Sequence, residues 1–246
     1  MKKLLILTAA ILLFISGCKK NDGEHDSPFY LNVTVENGSQ HISKIDMVYA
    51  KAVGVLESTP ETIAKTSYGN GTFTLELPGT IGEKYLFPIE NTIFPGINNI
   101  NISDKTAKIT AVVLYAEKDG ENVGNIYRSS FDQTIIFQWP NDEILEKIKE
   151  IYATGAYGTS YIYVNKSVTI TGTTVINEIQ GHAIDNPYTC NYNLHLTKGW
   201  NIYATKTTGT WENNTLKTGT VEITNVEPAG MKWFYLTIYG LGIPVV

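Results

Sequence analysis

From Phe29 onward, apolar and polar residues alternate over short stretches. Leu31-Asn32-Val33-Thr34-Val35 and Phe73-Thr74-Leu75-Glu76-Leu77 each put every second side chain on one apolar face, the period of a half-buried strand. Pro78-Gly79 closes the second stretch. Residues 107–117 are apolar at both parities around Val112, Val113 and Leu114, which predicts a central strand buried on both faces. Asp119-Gly120 suits a tight turn into a partner strand over 123–127. Residues 160–164 and 167–171 are expected to pair through Asn165-Lys166. Residues 192–196 are expected to turn at Thr197-Lys198-Gly199 into 200–203, with Gly199 supplying the positive φ of a short hairpin loop. Strands over 221–226 and 232–238 complete the pattern. In the last of these, the run Trp233-Phe234-Tyr235-Leu236 predicts burial on both faces.

One stretch has a helical period instead. After Pro140, Asn141 is placed to cap a helix, and Asp142 and Glu143 sit in its first turn, where the helix dipole favours acids. Ile144, Leu145, Ile148 and Ile151 share a face, Glu143 and Lys147 form an i,i+4 pair, and Thr154-Gly155 ends the run. A single helix near 141–152, covering an open end of the strands, is the expectation.

Val-, Ile-, Thr- and Tyr-rich segments separated by turn residues predict an all-β chain, an antiparallel β-sandwich made of two packed halves over 29–100 and 101–246. The segment 87–104, with Phe94-Pro95-Gly96 and several Asn, is the expected linker. No internal repeat of roughly 20–50 residues is visible, which argues against a propeller or solenoid.

The first 28 residues read differently. Lys2 and Lys3 precede a continuous apolar run from Leu4 to Ile15, too short to span a bilayer comfortably and of the length expected for a signal peptide over 1–17. Ile15-Ser16-Gly17-Cys18 follows it. This stretch resembles the lipobox of bacterial lipoproteins. The resemblance implies a diacylglycerol on the Cys18 thiol, cleavage before Cys18, and acylation of the new amine, so that several chains together hold the protein at a membrane. Residues 18–28 are polar with Gly23 and Pro28, as befits a flexible tether. Lys19 stands where an Asp would suggest inner-membrane retention, so the resemblance points to the outer membrane, and the nearby acids leave cell-surface display open.

Loss of Lys2 and Lys3 with the leader takes the net charge from −5 to −7, which disfavours nucleic acid as a partner. With Cys18 lipidated, Cys190 has no disulfide partner and is expected to be a small buried side chain.

Chemistry is sparse. There is no Gly-x-Ser-x-Gly elbow, Walker loop or His-Glu-x-x-His, and Gly240-Leu241-Gly242 has no helix to open. No cofactor is expected. His182, Asp185, Cys190 and His195 carry metal-ligating groups within fourteen residues, yet their spacing fits no common zinc pattern, and His195 shares a strand face with Asn191 and Asn193. The 15 Tyr and 4 Trp raise sugar stacking. Trp139 and Trp233 are read as core, whereas Trp200 and Trp211 flank a hairpin and would serve if coplanar with a neighbouring Tyr. Glu57, Glu61, Asp104, Glu117, Glu121 and Glu212 are scattered carboxylates, and a hydrolase would need two of them within reach of each other. Lys118-Asp119-Gly120-Glu121-Asn122 lacks the alternating ladder of a Ca²⁺ loop.

Two further resemblances cover about a quarter of the chain. Gly71-Thr72-Phe73-Thr74-Leu75-Glu76-Leu77-Pro78 is similar to a strand of transthyretin-like or carboxypeptidase-regulatory-like β-sandwich modules. Residues 161–172 and 192–201 resemble segments of outer-membrane lipoproteins of Gram-negative bacteria. They imply architecture and location and carry no activity. The expectation is a non-enzymatic surface lipoprotein with a binding, adhesion or structural role, held at the membrane by its anchor and meeting a glycan or another surface protein. The alternatives are a glycan-binding accessory for nutrient uptake and a hydrolase with paired carboxylates.

Overall fold

The computed structural model describes residues 27–53, 61–91, 100–138, 142–179, 182–212 and 215–237. In chain order the elements are β1 (Phe29–Thr34), β2 (Met47–Val53), β3 (Glu61–Ser67), β4 (Thr72–Leu77), β5 (Phe87–Pro88), β6 (Asn101–Ile102), β7 (Lys108–Lys118), β8 (Glu121–Ser129), α1 (Asp142–Thr154), β9 (Ala156–Val164), β10 (Val168–Ile179), β11 (His182–Leu196), β12 (Gly199–Glu212), β13 (Thr215–Thr224) and β14 (Lys232–Thr237). The chain is all-β and sandwich-like, with one α-helix among the described residues.

Two packed clusters of apolar side chains organise it. In the first, the antiparallel ribbon β1–β4 covers one face of a sheet led by β2, β7 and β8. Leu31 and Val33 from β1, with Phe73, Leu75 and Leu77 from β4, meet Val48, Ala50, Val112, Leu114 and Ala116. The intervening Asn32, Thr34, Thr74 and Glu76 point to solvent, as the alternation predicts. The second cluster joins Ile109, Ile162 and Val164 to Val168, Ile170, Cys190, Tyr192, Leu194, Leu196 and Ile223.

Strand β7 couples the two. One of its edges pairs with β2. The other is divided, with Leu114–Lys118 pairing β8 and Ile109–Val112 pairing β9. The sheet forks at Val113. One branch ends in β14, which pairs with β8; the other runs β9–β12–β13–β11–β10–β6. Among the described residues the strand order contains one parallel strand pair, β11 with β13, within an otherwise antiparallel arrangement. Because β2 and β3 share this sheet with β7, a cut between 29–100 and 101–246 runs through hydrogen-bonded strands. The expected linker is likewise built in at both ends, since Phe87 and Pro88 pair with β7, Ile89 is buried in the second cluster, and Asn101 and Ile102 pair with β10.

The Asp119-Gly120 turn forms with both residues at positive φ, and the β7–β8 hairpin follows from it. Two other expected hairpins do not. Strand β9 pairs with β7, β8 and β12, whereas β10 pairs with β11 and β6, so Asn165-Lys166 carries the chain between layers. Asn165 is fastened to β7 instead, accepting from the Lys108 amide at 2.8 Å and donating to its carbonyl. Similarly, β11 pairs with β10 and β13 while β12 pairs with β9 and β13. Gly199 has the predicted positive φ, but the strands on either side of it lie apart in the sheet. In both cases the short link joins two strands that find their hydrogen-bonding partners elsewhere in the sheet.

Burial also shifts between strands. On β7 one face is buried at Val112, Leu114 and Ala116, while Ala111, Val113 and Tyr115 are half-buried. The strand fully buried on both faces is the Tyr161–Val164 part of β9, whose odd residues face one layer and even residues the other. Strand β14 is not enclosed: Trp233 is buried, but Phe234, Tyr235 and Leu236 are half-buried because it pairs along its length with β8 alone. Helix α1 forms over its predicted span, burying Leu145 and Ile148 and packing on β12.

Candidate functional site

The metal-type constellation is drawn apart by strand parity. Cys190 and His195 both lie on β11, five residues apart, and therefore on opposite faces. Cys190 is only 3% exposed within the second cluster, where burial pushes its thiol pKa up. His195 is exposed, its Nε2 3.0 Å from the Asn193 side chain, as its polar neighbours suggested. The side chains of His182 and Asp185 lie outside the described residues, as do Cys18 and Trp139. Among the described residues no three His, Cys, Asp or Glu side chains gather as a metal site would require.

Neither tryptophan offered for sugar stacking lies flat beside a tyrosine. Trp200 is half-buried, donates its indole N–H to the Pro78 carbonyl at 2.8 Å, and meets Tyr163 at 72°. Trp211 is half-buried and meets Tyr152 of α1 at 70°. Both rings fasten one element to another. The scattered acids likewise have separate tasks. Glu61 takes Lys84, Asp104 takes Thr106 and Lys166, and Glu117 accepts the Tyr49 hydroxyl. Glu121 is exposed beside the β7–β8 turn, and the side chains of Glu57 and Glu212 lie outside the described residues.

A different place brings mixed chemistry together. Where β1 ends, Val35 forms a parallel bridge with Trp233 and the Glu36 amide donates to the Trp233 carbonyl, so the chain is tied to the open edge of β14. It then leaves through Asn37 at positive φ into a 3₁₀ turn, Gly38–His41. That turn sits hard against the β3–β4 connection. A Cβ on Gly38 would stand 2.6 Å from the Gly71 Cα, so only glycine permits the approach. The Tyr68 hydroxyl donates to the Gly38 carbonyl at 3.0 Å and fixes it there.

The result is a cleft of about 640 Å³ between this turn, the β7–β8 hairpin, the segment after β8 and the exposed part of β14. Phe234, Tyr235 and Val123 give it apolar and aromatic surface, while Asn37, Gln40, Glu36, Asp132 and Thr134 bring amides, carboxylates and a hydroxyl. The Tyr235 ring is held by its hydroxyl, which donates to the Val123 carbonyl at 2.9 Å, and by the His41 ring 4.9 Å away. Phe234 stacks on Tyr127 at 5.6 Å and 23°. The Tyr127 hydroxyl donates to Asp132 Oδ1 at 3.0 Å, and that same oxygen accepts from the Thr134 amide.

The charges in the cleft largely cancel. Lys118 is held 2.7 Å from Asp46, whose carboxyl pKa is lowered by that bond and by the Asp119 amide. Glu36 is held by Lys232 at 3.2 Å. Lys44 and Asp132 remain as one charge of each sign, and both act on His41. Burial lowers the His41 pKa and Lys44 lowers it further, while Asp132 opposes them, so the imidazole is neutral at pH 7. Its Nδ1 is buried without a hydrogen-bond partner among the described residues.

No single sequence motif signalled this place. Its residues lie between 36 and 237, and the nearest clue was Asn37-Gly38, a pair suited to positive φ between two apolar runs. Scans of family models and searches of curated proteins and solved structures found no match to the chain.

Proposed function

We propose that this is a non-enzymatic, lipid-anchored binding protein of the outer membrane whose ligand site is the cleft around His41 and Tyr235. The convergence of aromatic, amide and carboxylate side chains from four separate chain segments into one concavity carries this reading. The leader, the lipobox-like Ile15-Ser16-Gly17-Cys18 and the polar tether support the anchoring. The path of β1 is consistent with it. The tether joins the body at Phe29 and the cleft opens beyond Val35, roughly 20 Å further along at about 3.3 Å per residue. The site therefore stands off from the attachment point.

Two measurements on the full chain test the two halves of the proposal. Cys18→Ala is expected to move the protein from the membrane fraction to the soluble fraction; retention at the membrane removes the anchor. A thermal-shift screen against a small-molecule library, run on the wild type and on Gln40→Trp, tests the cleft. Gln40 is exposed at the rim, so tryptophan there fills the opening without entering a core. Stabilisation by a ligand in the wild type and not in Gln40→Trp is the expected result. Equal shifts in both proteins place binding elsewhere.

A further inference from the structure

Resting on the cleft as the binding site, we infer that its ligand is a neutral saccharide, a mono- or disaccharide or the end of a glycan chain. Three properties of the lining select this class.

The first is charge. Lys118 and Glu36 are each neutralised by a partner outside the lining, Asp46 and Lys232, while Lys44 and Asp132 offset each other and His41 is neutral. A phosphate or carboxylate entering here would meet Glu36 and Asp132 without a surplus of cations to hold it. A cationic ligand would meet Lys44 and Lys118 in the same way.

The second is hydrogen bonding. The Asn37 and Gln40 amides each offer donors and an acceptor, and neither side chain is bonded to another described residue. Asp132 spends Oδ1 on Tyr127 and Thr134 and keeps Oδ2 for an incoming donor. A purely apolar ligand would strip water from all these groups and return nothing. A sugar hydroxyl both donates and accepts, so a ring carrying several of them satisfies amide, carboxylate and hydroxyl partners together.

The third is the aromatic surface. Phe234 and Tyr235 supply ring area that is rigid because each ring is already fixed, Phe234 by Tyr127 and Tyr235 by Val123 and His41. Being consecutive on β14, the two rings face opposite ways at the strand's open edge, so the C–H face of a pyranose packs on one of them while its hydroxyl edge reaches the polar rim. The volume, about 640 Å³, lies in the range of small-ligand sites and leaves room for such rings. The sugar-contacting aromatics are thus Phe234 and Tyr235, in place of the Trp200 and Trp211 that the sequence suggested.

A glycan array probed with detergent-solubilised full-length protein, carrying neutral, uronic-acid, sialylated and sulfated glycans, tests the inference alongside Gln40→Ala and Gln40→Trp. The expected result is binding confined to neutral glycans, weakened about fivefold in Gln40→Ala, the scale of one lost hydrogen bond, and abolished in Gln40→Trp. Binding restricted to acidic or sulfated glycans overturns the neutral class. So does an array without signal when library compounds other than sugars stabilise the wild type and not Gln40→Trp. In that case the cleft survives as a binding site and the saccharide does not. Neutral-glycan binding that is unchanged in both variants removes the cleft from the inference and from the broader reading alike.

Discussion

The two apolar clusters are built from the same residue types by different routes. In the first, β1, β2 and β4 are six or seven residues long and alternate strictly between buried and more exposed side chains, and β7 and β8 are joined by a two-residue turn. In the second, β10 to β13 run for ten residues or more, and neighbours in sequence such as β9 and β10 are not neighbours in the sheet. The shared strands β7 and β9 send alternate side chains into each cluster, with Leu114 and Tyr161 on one side and Ile109 and Ile162 on the other. A short link produces pairing only when its own geometry is that of a hairpin turn. Where it is not, the apolar faces choose the partners. The contrast also bears on the cleft, which sits where the first cluster's sheet ends in β14, an edge strand capped by a 3₁₀ turn.

The two clusters, joined through β7 and β9, are expected to unfold together. Leu75→Ala empties a fully buried position in the first cluster and Leu194→Ala does so in the second. Each is expected to cost about 3 kcal/mol, and both should lower one common unfolding transition because β7 and β9 join the clusters. Denaturant unfolding followed by tyrosine and tryptophan fluorescence and by far-ultraviolet circular dichroism checks this. Two separated transitions, each moved by only one of the variants, would show that the shared strands do not couple them.

A smaller effect is confined to the first cluster's edge. A Cβ on Gly124 would drive into the Leu236 carbonyl and the Tyr235 ring, so Gly124→Ala must displace β14. It should cost about 2 kcal/mol and weaken cleft ligands more than Leu194→Ala does. Equal affinity for a cleft ligand in the two variants would detach the site from the β8–β14 pairing.

The smallest expected effect is the pH response of His41. Its folded-state pKa lies below that of an exposed imidazole, because burial and then Lys44 disfavour its charge, with Asp132 opposing. At pH values above the unfolded pKa, about 6.5, imidazole is neutral in both states and the contribution is complete. As pH falls from there toward the folded value, the unfolded chain takes up the proton first, so stability declines. Urea midpoints at pH 7.5 and 5.5 should therefore differ more in the wild type than in His41→Gln. An identical fall in both would assign the response to other groups.

The residues by themselves determined the strand character of the body, the helix over Asp142–Thr154, the β7–β8 turn, the buried faces of β1 and β4, and the burial of Cys190. Those features are legible because periodicity, capping and turn chemistry act over a few neighbouring positions. Long-range packing alone set β9 between β7 and β12 and ran β11 parallel to β13. The cleft belongs to the same category. Gln40, Asp132 and Tyr235 are separated by some two hundred residues of chain, and nothing local marks them as neighbours. What unites them is the stacking of layers, set by the competition among many apolar faces for burial, and that competition is settled by the whole chain at once.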